Sequence, residues 1–439
     1  MTATPLLSPE LLTAQLKAAK QRKGEIARQF KTLSPGSLEH QDALSAMQAI
    51  TAELKAIEAQ LAELKNPPSQ TDAAPKPAST PALTLIDPAA LHSSPFECRP
   101  LASAEWGQWD AYVAKVCAAN NYHYAIWLQL IKEQFGHEGI IWAAFDEQSR
   151  IIGGIPLVIL ASPLFGRFAV SVPYFNYGGV LSEYFNVAQE LITSASVLNQ
   201  RFNLRHIEVR CMQQGLMPQG QCSSKKASLI LALPSSPAQL EHQLGAKVRA
   251  QYKKALEHSP QFSLGKSELL DDFYSVFAQN MRDLGTPVYA KSWFARLLEE
   301  PSLHCHIALV RMYGKPVSAG FLIGHGNMLE IPWASTVRKA NGWNANMWMY
   351  RQILGFAIEQ GYQYFDFGRS TQDAGTFKFK RQWGAEPYSH YWYYLLPAGG
   401  AMPGLNPDNP KYKLVIAIWK KLPVWLTKII GPLIVGNLP

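Results

Sequence analysis

Residues Tyr362 to Gly384 read YQYFDFGRSTQDAGTFKFKRQWG, and this stretch decides how the rest of the chain is interpreted. An aromatic run predicts a short strand, a polar loop follows, and two lysines then alternate with two phenylalanines. In an extended segment, alternation places Lys378 and Lys380 on one face and Phe377 and Phe379 on the other. The pattern fits two cations lining an acyl or phosphate site, and it also fits an edge strand with a solvated basic face.

Composition sets the scale of the protein around this stretch. The chain has 439 residues, 47% of them hydrophobic, which is enough for two packed domains and an extension. The formal net charge of +8 favours an anionic partner such as nucleic acid, a phosphate-bearing ligand or a membrane surface.

The five cysteines are scattered and never form a C-x-x-C motif, which argues against a disulfide framework and a zinc site. The first twelve residues lack a signal-peptide pattern, and no apolar run reaches membrane-spanning length. These features together predict a cytoplasmic protein.

Residues 1–65 contain two heptad seams, from Leu12 to Leu33 and from Met47 to Leu64, separated by the breaker at 34–37. The first stretch is rich in Lys and Arg and the second in Glu, so opposite charges favour an antiparallel helical hairpin, a coiled-coil arm. This arm resembles the helical arm of seryl-tRNA synthetases, which touches tRNA. Self-association and binding of another partner remain open as its role.

Beyond a Pro- and Ala-rich linker at 66–83, the order strand-strand-strand-helix-strand occurs twice, in a first domain at 84–235 and a second at 236–400. The first copy comprises strands at 140–145, 151–160 and 168–173, a helix at 188–200 and a strand at 205–211. The second comprises strands at 304–311, 316–323 and 328–333, a helix at 346–359 and a strand at 362–367. The repetition predicts a tandem α/β architecture with a shared interface suited to a ligand.

Two further features are candidates for binding. Lys247 and Lys254 share one face of a predicted helix that also carries Arg249, which suits phosphate binding; a solvated basic helix explains the same spacing. Tyr174, Asn176 and Tyr177 lie in an aromatic segment of the first half, and Trp333 lies in the matching segment of the second half. We expect both segments to rim a cleft. The glycines at 178 and 179 permit close approach of a ligand, although plain loop geometry accounts for them as well.

No metal site is predicted, because His304 and His306 have no Cys or carboxylate partner at metal-ligand spacing. The chain also lacks G-x-S-x-G, Walker and Rossmann motifs. Its C-terminal segment, 401–439, mixes lysines with large apolar residues. This segment lies either on an anionic membrane surface or across the two domains.

Taken together, these segments resemble the FemAB-like branch of the GNAT (acyl-CoA N-acyltransferase) superfamily, and most closely the FemAB-family proteins associated with the XrtA/PEP-CTERM exosortase system. The likeness runs from about residue 84 to 439 and leaves out the helical arm. Six segments carry it: Asn176-Tyr177-Gly178-Gly179, Lys247-Val248-Arg249 with Lys254-Ala255, Pro332-Trp333-Ala334-Ser335, Asn346-Met347, the block through Trp383-Gly384, and the turn Asn406-Pro407-Asp408-Asn409-Pro410.

The resemblance implies tandem GNAT-like domains that pass an acyl or aminoacyl group to an amine. In the peptidoglycan-bridge relatives the donor is aminoacyl-tRNA, the acceptor is a peptidoglycan precursor, and a Phe-Lys pair supplies a lysine that stabilises the reacting carbonyl oxygen. That pair falls on Phe379 and Lys380. A held cation has the same role on chemical grounds, because negative charge grows on a carbonyl oxygen attacked by an amine. Asp366 and Arg369 are expected to form a pair that shapes the site or closes the strand.

Two further expectations concern the substrates. Lys378, Ser370 and Asn346 join the residues named above as expected substrate contacts. GNAT enzymes that use acetyl-CoA usually carry an Arg/Gln-x-x-Gly-x-Gly/Ala loop, whereas residues 336–346 read TVRKANGWNAN. No permanently bound cofactor is predicted, and the donor stays open among aminoacyl-tRNA, acyl-CoA and acyl-carrier protein.

The leading hypothesis is an N-acyltransferase or aminoacyltransferase that modifies an amine of a cell-envelope, exopolysaccharide or peptidoglycan precursor. Contact with tRNA and with the inner face of the cytoplasmic membrane are open additions. The alternative is a non-catalytic scaffold or an RNA-binding protein of an exopolysaccharide system, built on a degenerate transferase body.

Overall fold

The computed structural model describes residues 9–30, 83–162, 166–217, 221–403 and 410–438, together with scattered positions between 37 and 57. The chain forms two compact units, Met1–Thr80 and Pro81–Pro439. Of the linker predicted at 66–83, residues 66–82 lie outside the described residues.

In the first unit, helix α1 spans Pro9–Phe30. Ala19 is buried in a small apolar cluster with Ile50, Leu54 and Ile57, which come from the second seam. An ion pair of 2.5 Å joins Arg22 to Glu53, as the opposite charges of the two stretches favour. The hairpin as a whole stays a prediction, because the breaker at 34–36 lies outside the described residues.

The second unit contains two mixed sheets. The strands of the first run in the order β1-β2-β3-β4-β6-β15-β7, with β5 paired to β3. They are β1 Phe96–Pro100, β2 Glu138–Asp146, β3 Ile151–Ser162, β4 Gly166–Val170, β5 Leu181–Ser182, β6 Ile207–Cys211, β7 Cys222–Ser223 and β15 Tyr391–Leu395. The strands of the second run in the order β14-β8-β13-β12-β11-β10-β9. They are β8 Lys226–Ala232, β9 Gln261–Gly265, β10 His306–Met312, β11 Lys315–His325, β12 Met328–Thr336, β13 Tyr364–Thr371 and β14 Glu386–Ser389.

The two sheets exchange strands across the predicted domain limit at residue 235. Strand β8 precedes that limit in sequence but pairs with β13 and β14 of the second sheet. Strand β15 follows the second copy but pairs with β6 of the first sheet. Each sheet therefore depends on a segment that belongs, in sequence, to the other half.

The helices cover both sheets in layers. They are α2 Trp106–Val113, α3 Ile126–Phe135, α4 Phe185–Ser194, α5 Val197–Phe202, α6 Pro237–Gln243, α7 Ala246–Lys254, α8 Leu270–Leu284, α9 Lys291–Glu299, α10 Ala345–Glu359, α11 Gly375–Arg381, α12 Pro410–Trp419 and α13 Val424–Val435. Helices α4 and α5 cover one face of the first sheet, and α6, α7 and α10 cover one face of the second. A third core, the inner core, joins both sheets through α2, α3, α8 and α9.

Both copies of the predicted repeat are present, with one change in the first. The helix predicted at 188–200 consists of two helices, α4 and α5, that meet near Ser196. In the second copy, α10 ends at the predicted place, where Gly361 adopts a φ of 81° and its N–H bonds to Ile358 O. Among the described residues, none of the helices is long and apolar enough to cross a membrane.

The strand predicted for the lysine-phenylalanine alternation is wrong, because Gly375–Arg381 is a helix, α11. Its backbone makes helical bonds from Lys378 N to Ala374 O and from Gln382 N to Lys378 O. On a helix the two lysines point in different directions: Lys380 is buried and Lys378 is exposed. Phe379 and Trp383, four residues apart, instead share one face and both pack near the Tyr350 ring.

Candidate active site

The candidate site lies where the parallel strands β12 and β13 diverge. They pair through Met328–Glu330 and Tyr364–Asp366 and then separate. Pro332 has no N–H to donate to a neighbouring strand. Gly368 has a φ of 78°, and the pairing of β13 with β8 shifts register around it. The local sequence thus opens the sheet just beyond Glu330 and Asp366.

Two cavities lie on either side of this gap. The outer cavity, of about 350 Å³, is lined from β12, α10 and α11 by residues that include Ala334, Asn346, Tyr350, Thr376 and Phe379. The inner cavity, of about 290 Å³, is lined by residues of both halves that include Tyr174, Asn176, Thr286, Tyr289, Trp333 and Arg369. The two cavities share three lining residues, Pro332, Phe367 and Lys380.

Lys380 is the charged member of that shared wall. Its side chain is buried, and Nζ donates to the carbonyl oxygens of Gly368 (2.9 Å) and Arg369 (3.0 Å). An ammonium group has three N–H donors, so one remains for a ligand in the gap. The register shift of β13 therefore fixes the cation at the place where the two cavities meet.

The charge of Lys380 is set by burial and by its neighbours. Burial lowers the pKa of its ammonium to about 8, although the carboxylates of Asp366 and Glu330 act in the opposite direction. The group is therefore charged at neutral pH and titrates within an accessible range.

Two buried carboxyl groups lie on the paired part of the two strands, where Glu330 and Asp366 are register partners. Burial and the nearby Asp366 raise the pKa of Glu330 well above its usual range, and burial also raises the pKa of Asp366. Lys380 lowers the pKa of both groups, but Asp366 accepts hydrogen bonds from Tyr177 and Gly368 whereas Glu330 accepts one from Tyr122. Of the pair, Asp366 is thus the carboxylate that balances Lys380, and Glu330 is the group that more readily keeps its proton.

The first half supplies the hydroxyl donors to this pair. Tyr177 Oη donates to Asp366 Oδ2 (2.9 Å), and Tyr122 Oη donates to Glu330 Oε2 (2.5 Å). The N–H of Gly368 donates to the other Asp366 oxygen (2.7 Å). Because both tyrosines are buried, these bonds tie the first half to the reacting end of the second.

In the first sheet, the corresponding parallel pair is β4 and β6, and the turn at Gly179 packs closely against it. A Cβ on Gly179 would lie 2.7 Å from the Arg210 carbonyl oxygen, so glycine allows the close contact of this turn with β6. Arg210 is buried and donates to Glu208 Oε1 (2.7 Å) and Phe175 O (2.6 Å). The first half thereby contributes walls and hydrogen bonds to the site of the second half.

The predicted pair of Asp366 and Arg369 does not form an ion pair. Asp366 accepts the bonds described above, whereas the Arg369 guanidinium lies over the Trp392 ring at 4.8 Å, with Arg210 at 4.5 Å from the same ring. Asp366 is buried, whereas Arg369 is exposed on the same strand. Ser370 is buried, and its hydroxyl makes no hydrogen bond within the described part of the chain.

The basic helix α7 lines neither cavity. Lys247 and Lys254 are exposed on it, and Arg249 donates to Leu244 O and Glu241 O at the end of α6. Of the three cations that the spacing suggested for phosphate binding, Arg249 therefore binds backbone oxygens of the protein, and the two lysines are exposed to solvent. Tyr174, Asn176, Tyr177, Trp333, Asn346, Phe379 and Lys380, by contrast, all lie at or next to the gap.

Sequence reasoning placed Glu330 in the segment expected to rim a cleft but gave it no chemical role, and it missed Tyr122. One signal was available for the first, because Glu330 follows Leu329 and precedes Ile331 just as Asp366 lies between two phenylalanines. A carboxyl group inside an apolar strand is rarely buried without a partner or a function. Tyr122 offered no such signal.

Residues 338–343, in the place of the acetyl-CoA loop, form a short 3₁₀ helix before α10, and Asn346 in the first turn of α10 faces the outer cavity. Within the described ranges, no group of three or more His, Cys, Asp or Glu side chains is placed to hold a metal ion.

Comparison with known proteins adds family information. Residues 245–381 match the family model for an acetyltransferase (GNAT) domain, a range that includes Glu330, Asp366 and Lys380. No match was found among curated proteins. The crystal structure of FemX matches at 13% identity with a TM-score of 0.51, over 72% of this chain and 100% of that one.

Two other solved structures are similar at lower scores. A tandem GNAT protein from the clavulanic acid biosynthesis pathway shares 13% identity (TM-score 0.45; 68% of this chain, 98% of that one). The L-PGS structure from Bacillus licheniformis shares 12% identity (TM-score 0.44; 74% and 96%). The chain therefore has a tandem GNAT-like, FemX-like fold, and its second half, which contains Lys380, matches a GNAT acetyltransferase domain.

Proposed function

We propose that the protein is an N-acyltransferase or aminoacyltransferase whose donor enters the outer cavity and whose amine acceptor enters the inner cavity. The observation that carries this proposal is the position of Lys380, a buried cation shared by two cavities that open on opposite sides of the strand gap. The acetyltransferase (GNAT) domain match over the same residues supports it.

The chemistry follows from that placement. The neutral amine attacks the carbonyl carbon of a thioester or ester, a C–N bond forms, and negative charge develops on the carbonyl oxygen. The free N–H of Lys380 stabilises that charge. The C–S or C–O bond then breaks, and the leaving thiolate or alkoxide takes up the proton that the amine loses. The two cavities supply the alignment that such a reaction needs.

We further propose that the acceptor is a precursor of the cell envelope, of peptidoglycan or of an exopolysaccharide, and that the reaction takes place on the cytoplasmic side of the membrane. The resemblance to the FemAB family and its exosortase-associated members supports this finer assignment. The test is transfer from aminoacyl-tRNA, acyl-CoA or acyl-carrier protein to amino-sugar and peptide acceptors by the purified chain. Absence of transfer from all three donor classes would contradict the proposal.

Blocking each cavity separately should affect one substrate and spare the other. Ala334 lines the outer cavity and Thr286 lines the inner one, and both are exposed, so a larger side chain fits at either position without strain on the core. We expect Ala334→Phe to raise the KM for the donor about tenfold, and Thr286→Phe to raise the KM for the acceptor by a similar factor. Steady-state kinetics with each substrate varied in turn measures both. Equal effects of the two variants on both substrates would contradict the separate routes.

The pH dependence should report Lys380. Its protonated form donates to the carbonyl oxygen, and its pKa is about 8, so kcat/KM should fall as the pH rises through that value. Below that pH, kcat/KM should increase as the pH rises, because the acceptor amine loses its proton. The Asp366 carboxylate favours the charged lysine, and Asp366→Asn should therefore move the alkaline fall to lower pH. Profiles of both proteins with one acceptor test this, and an unmoved or upward-shifted fall would be inconsistent with it.

A further inference from the structure

Helix α13 is apolar on two opposite faces. One row, Thr427, Gly431 and Val435, is buried against the body of the unit. The Gly431 position allows this contact, because a Cβ there would lie 2.8 Å from Val288 N. A second row with the same spacing is exposed to solvent: Trp425 (64%), Ile429 (61%) and Leu433 (73%). A helix on the surface of a globular protein ordinarily presents polar side chains there.

The preceding helix, α12, also exposes large apolar side chains. Leu414, Val415 and Ile418 are all more than half exposed. Of the fourteen large apolar side chains that are exposed among the described residues, eight lie between Met402 and Leu433. Such a concentration on one segment marks an interaction surface rather than the usual scatter of single residues.

Charge distinguishes between the partners that this surface fits. Residues 410–438 contain five lysines and no Asp or Glu. Lys420 and Lys421, which lie between the two helices in the sequence, are exposed. Large apolar residues, a tryptophan and lysines without acidic residues are the composition of helices that lie in the interface of an anionic membrane. A protein partner would more often be met by mixed charges at the rim.

The same helix leads directly to the inner cavity. Val435, in its last turn, lines that cavity together with Tyr174. The carbonyl oxygen of Gly436 accepts a hydrogen bond from Tyr174 Oη (2.8 Å) and lies 2.7 Å from His137 Nε2. The apolar surface and the proposed acceptor route are therefore connected through one anchored helix.

We propose that the outward faces of α12 and α13 dock the protein on an anionic lipid surface and present the inner cavity to an acceptor amine carried by a membrane amphiphile. The docking surface stands on its own observations, and the acceptor class rests on the proposed transferase function.

The test uses the full chain and sedimentation with vesicles of phosphatidylglycerol and phosphatidylcholine, compared with phosphatidylcholine alone. Wild type should bind the anionic vesicles. The triple variant Trp425→Gln, Ile429→Gln, Leu433→Gln should bind at least about tenfold more weakly. The matched control replaces three exposed apolar residues located elsewhere: Leu91→Gln, Val197→Gln and Leu256→Gln. It should bind like wild type. Lys420→Gln with Lys421→Gln should weaken binding, and more strongly at low salt.

Several results would overturn the docking proposal. Failure of wild type to bind anionic vesicles is one, and equal loss in the triple variant and its control is another. A wild-type dimer in solution that the triple variant dissociates, without vesicle binding, would assign the surface to a second copy of the chain. Lys380→Ala should bind vesicles like wild type. Loss of catalysis and loss of docking are therefore measured separately, and docking without any transfer would refute the transferase proposal alone.

Discussion

Replacing Lys380 by alanine is expected to slow acyl transfer by about 10²–10³-fold while leaving the protein folded, because one charged donor to the reacting carbonyl oxygen is removed. The loss should fall mainly on kcat, since the interaction strengthens as charge develops in the transition state. Lys380 binds the carbonyl oxygens of Gly368 and Arg369, two residues that line the inner cavity, so these oxygens can be hydrated in the variant. Folding is checked by thermal unfolding, and transfer by single-turnover rates.

The chain offers a close control for this variant. Lys378 lies on the same short helix, two residues earlier, but is exposed. Lys378→Ala removes the same charge from the protein and should keep more than half of the wild-type rate. If both variants lose activity equally, the effect is one of net charge or of helix α11, and the assignment of Lys380 fails.

A second comparison separates catalysis from scaffolding. If cellular function survives Lys380→Ala but is lost when residues 1–66 are deleted, the arm carries the function and the transferase body is degenerate. The reverse result supports the transferase. A strongly salt-dependent affinity for RNA would instead point to nucleic-acid binding.

The repeated order of elements could be predicted from sequence because strands such as β3, with nearly continuous apolar residues, and the helix α10, closed by Gly361, carry strong local signals. Lys380 could also be singled out. The local structure around Lys380 could not be predicted. A helix of only seven residues has too few turns to show a helical periodicity, and Phe-Lys-Phe-Lys alternates as a strand does. The helix is stabilised by the packing of Phe379 and Trp383 around Tyr350. No local sequence pattern reveals this packing.

The rest of the site depends on contacts between distant parts of the chain. Glu330 and Asp366 become neighbours only through the register of β12 and β13, and their tyrosine donors come from the first half. Strands β8 and β15 are each placed in the sheet of the opposite half. Nothing in the local sequence of these strands states which sheet they join, because both are compatible with any half-buried position.

The exchange of strands and the inner core imply that the two halves unfold together, and Trp293 is the residue that tests this most directly. It is fully buried, and its ring lies 5.2 Å from Phe135 and 6.4 Å from Tyr174, both in the first half, while Trp293 itself belongs to the second. We expect Trp293→Ala to lower the free energy of unfolding by about 3–5 kcal/mol. That is a large share of the total stability of a typical protein, about 5–15 kcal/mol.

The matched substitution is Trp343→Ala, because Trp343 is only partly buried and contacts His258 and Tyr313 at the edge of the second half. It should cost about 1 kcal/mol. Urea unfolding followed by circular dichroism gives both values, and hydrogen exchange reports the two halves separately. For Trp293→Ala, protection should fall in the strands of both sheets by the same free energy. Loss of protection in the second sheet alone would mean that the halves are independent, and the site would then owe little to Tyr122 and Tyr177. A common loss would make the tyrosine bonds to Glu330 and Asp366 part of one cooperative structure, so that the geometry around Lys380 depends on the first half as much as on the second.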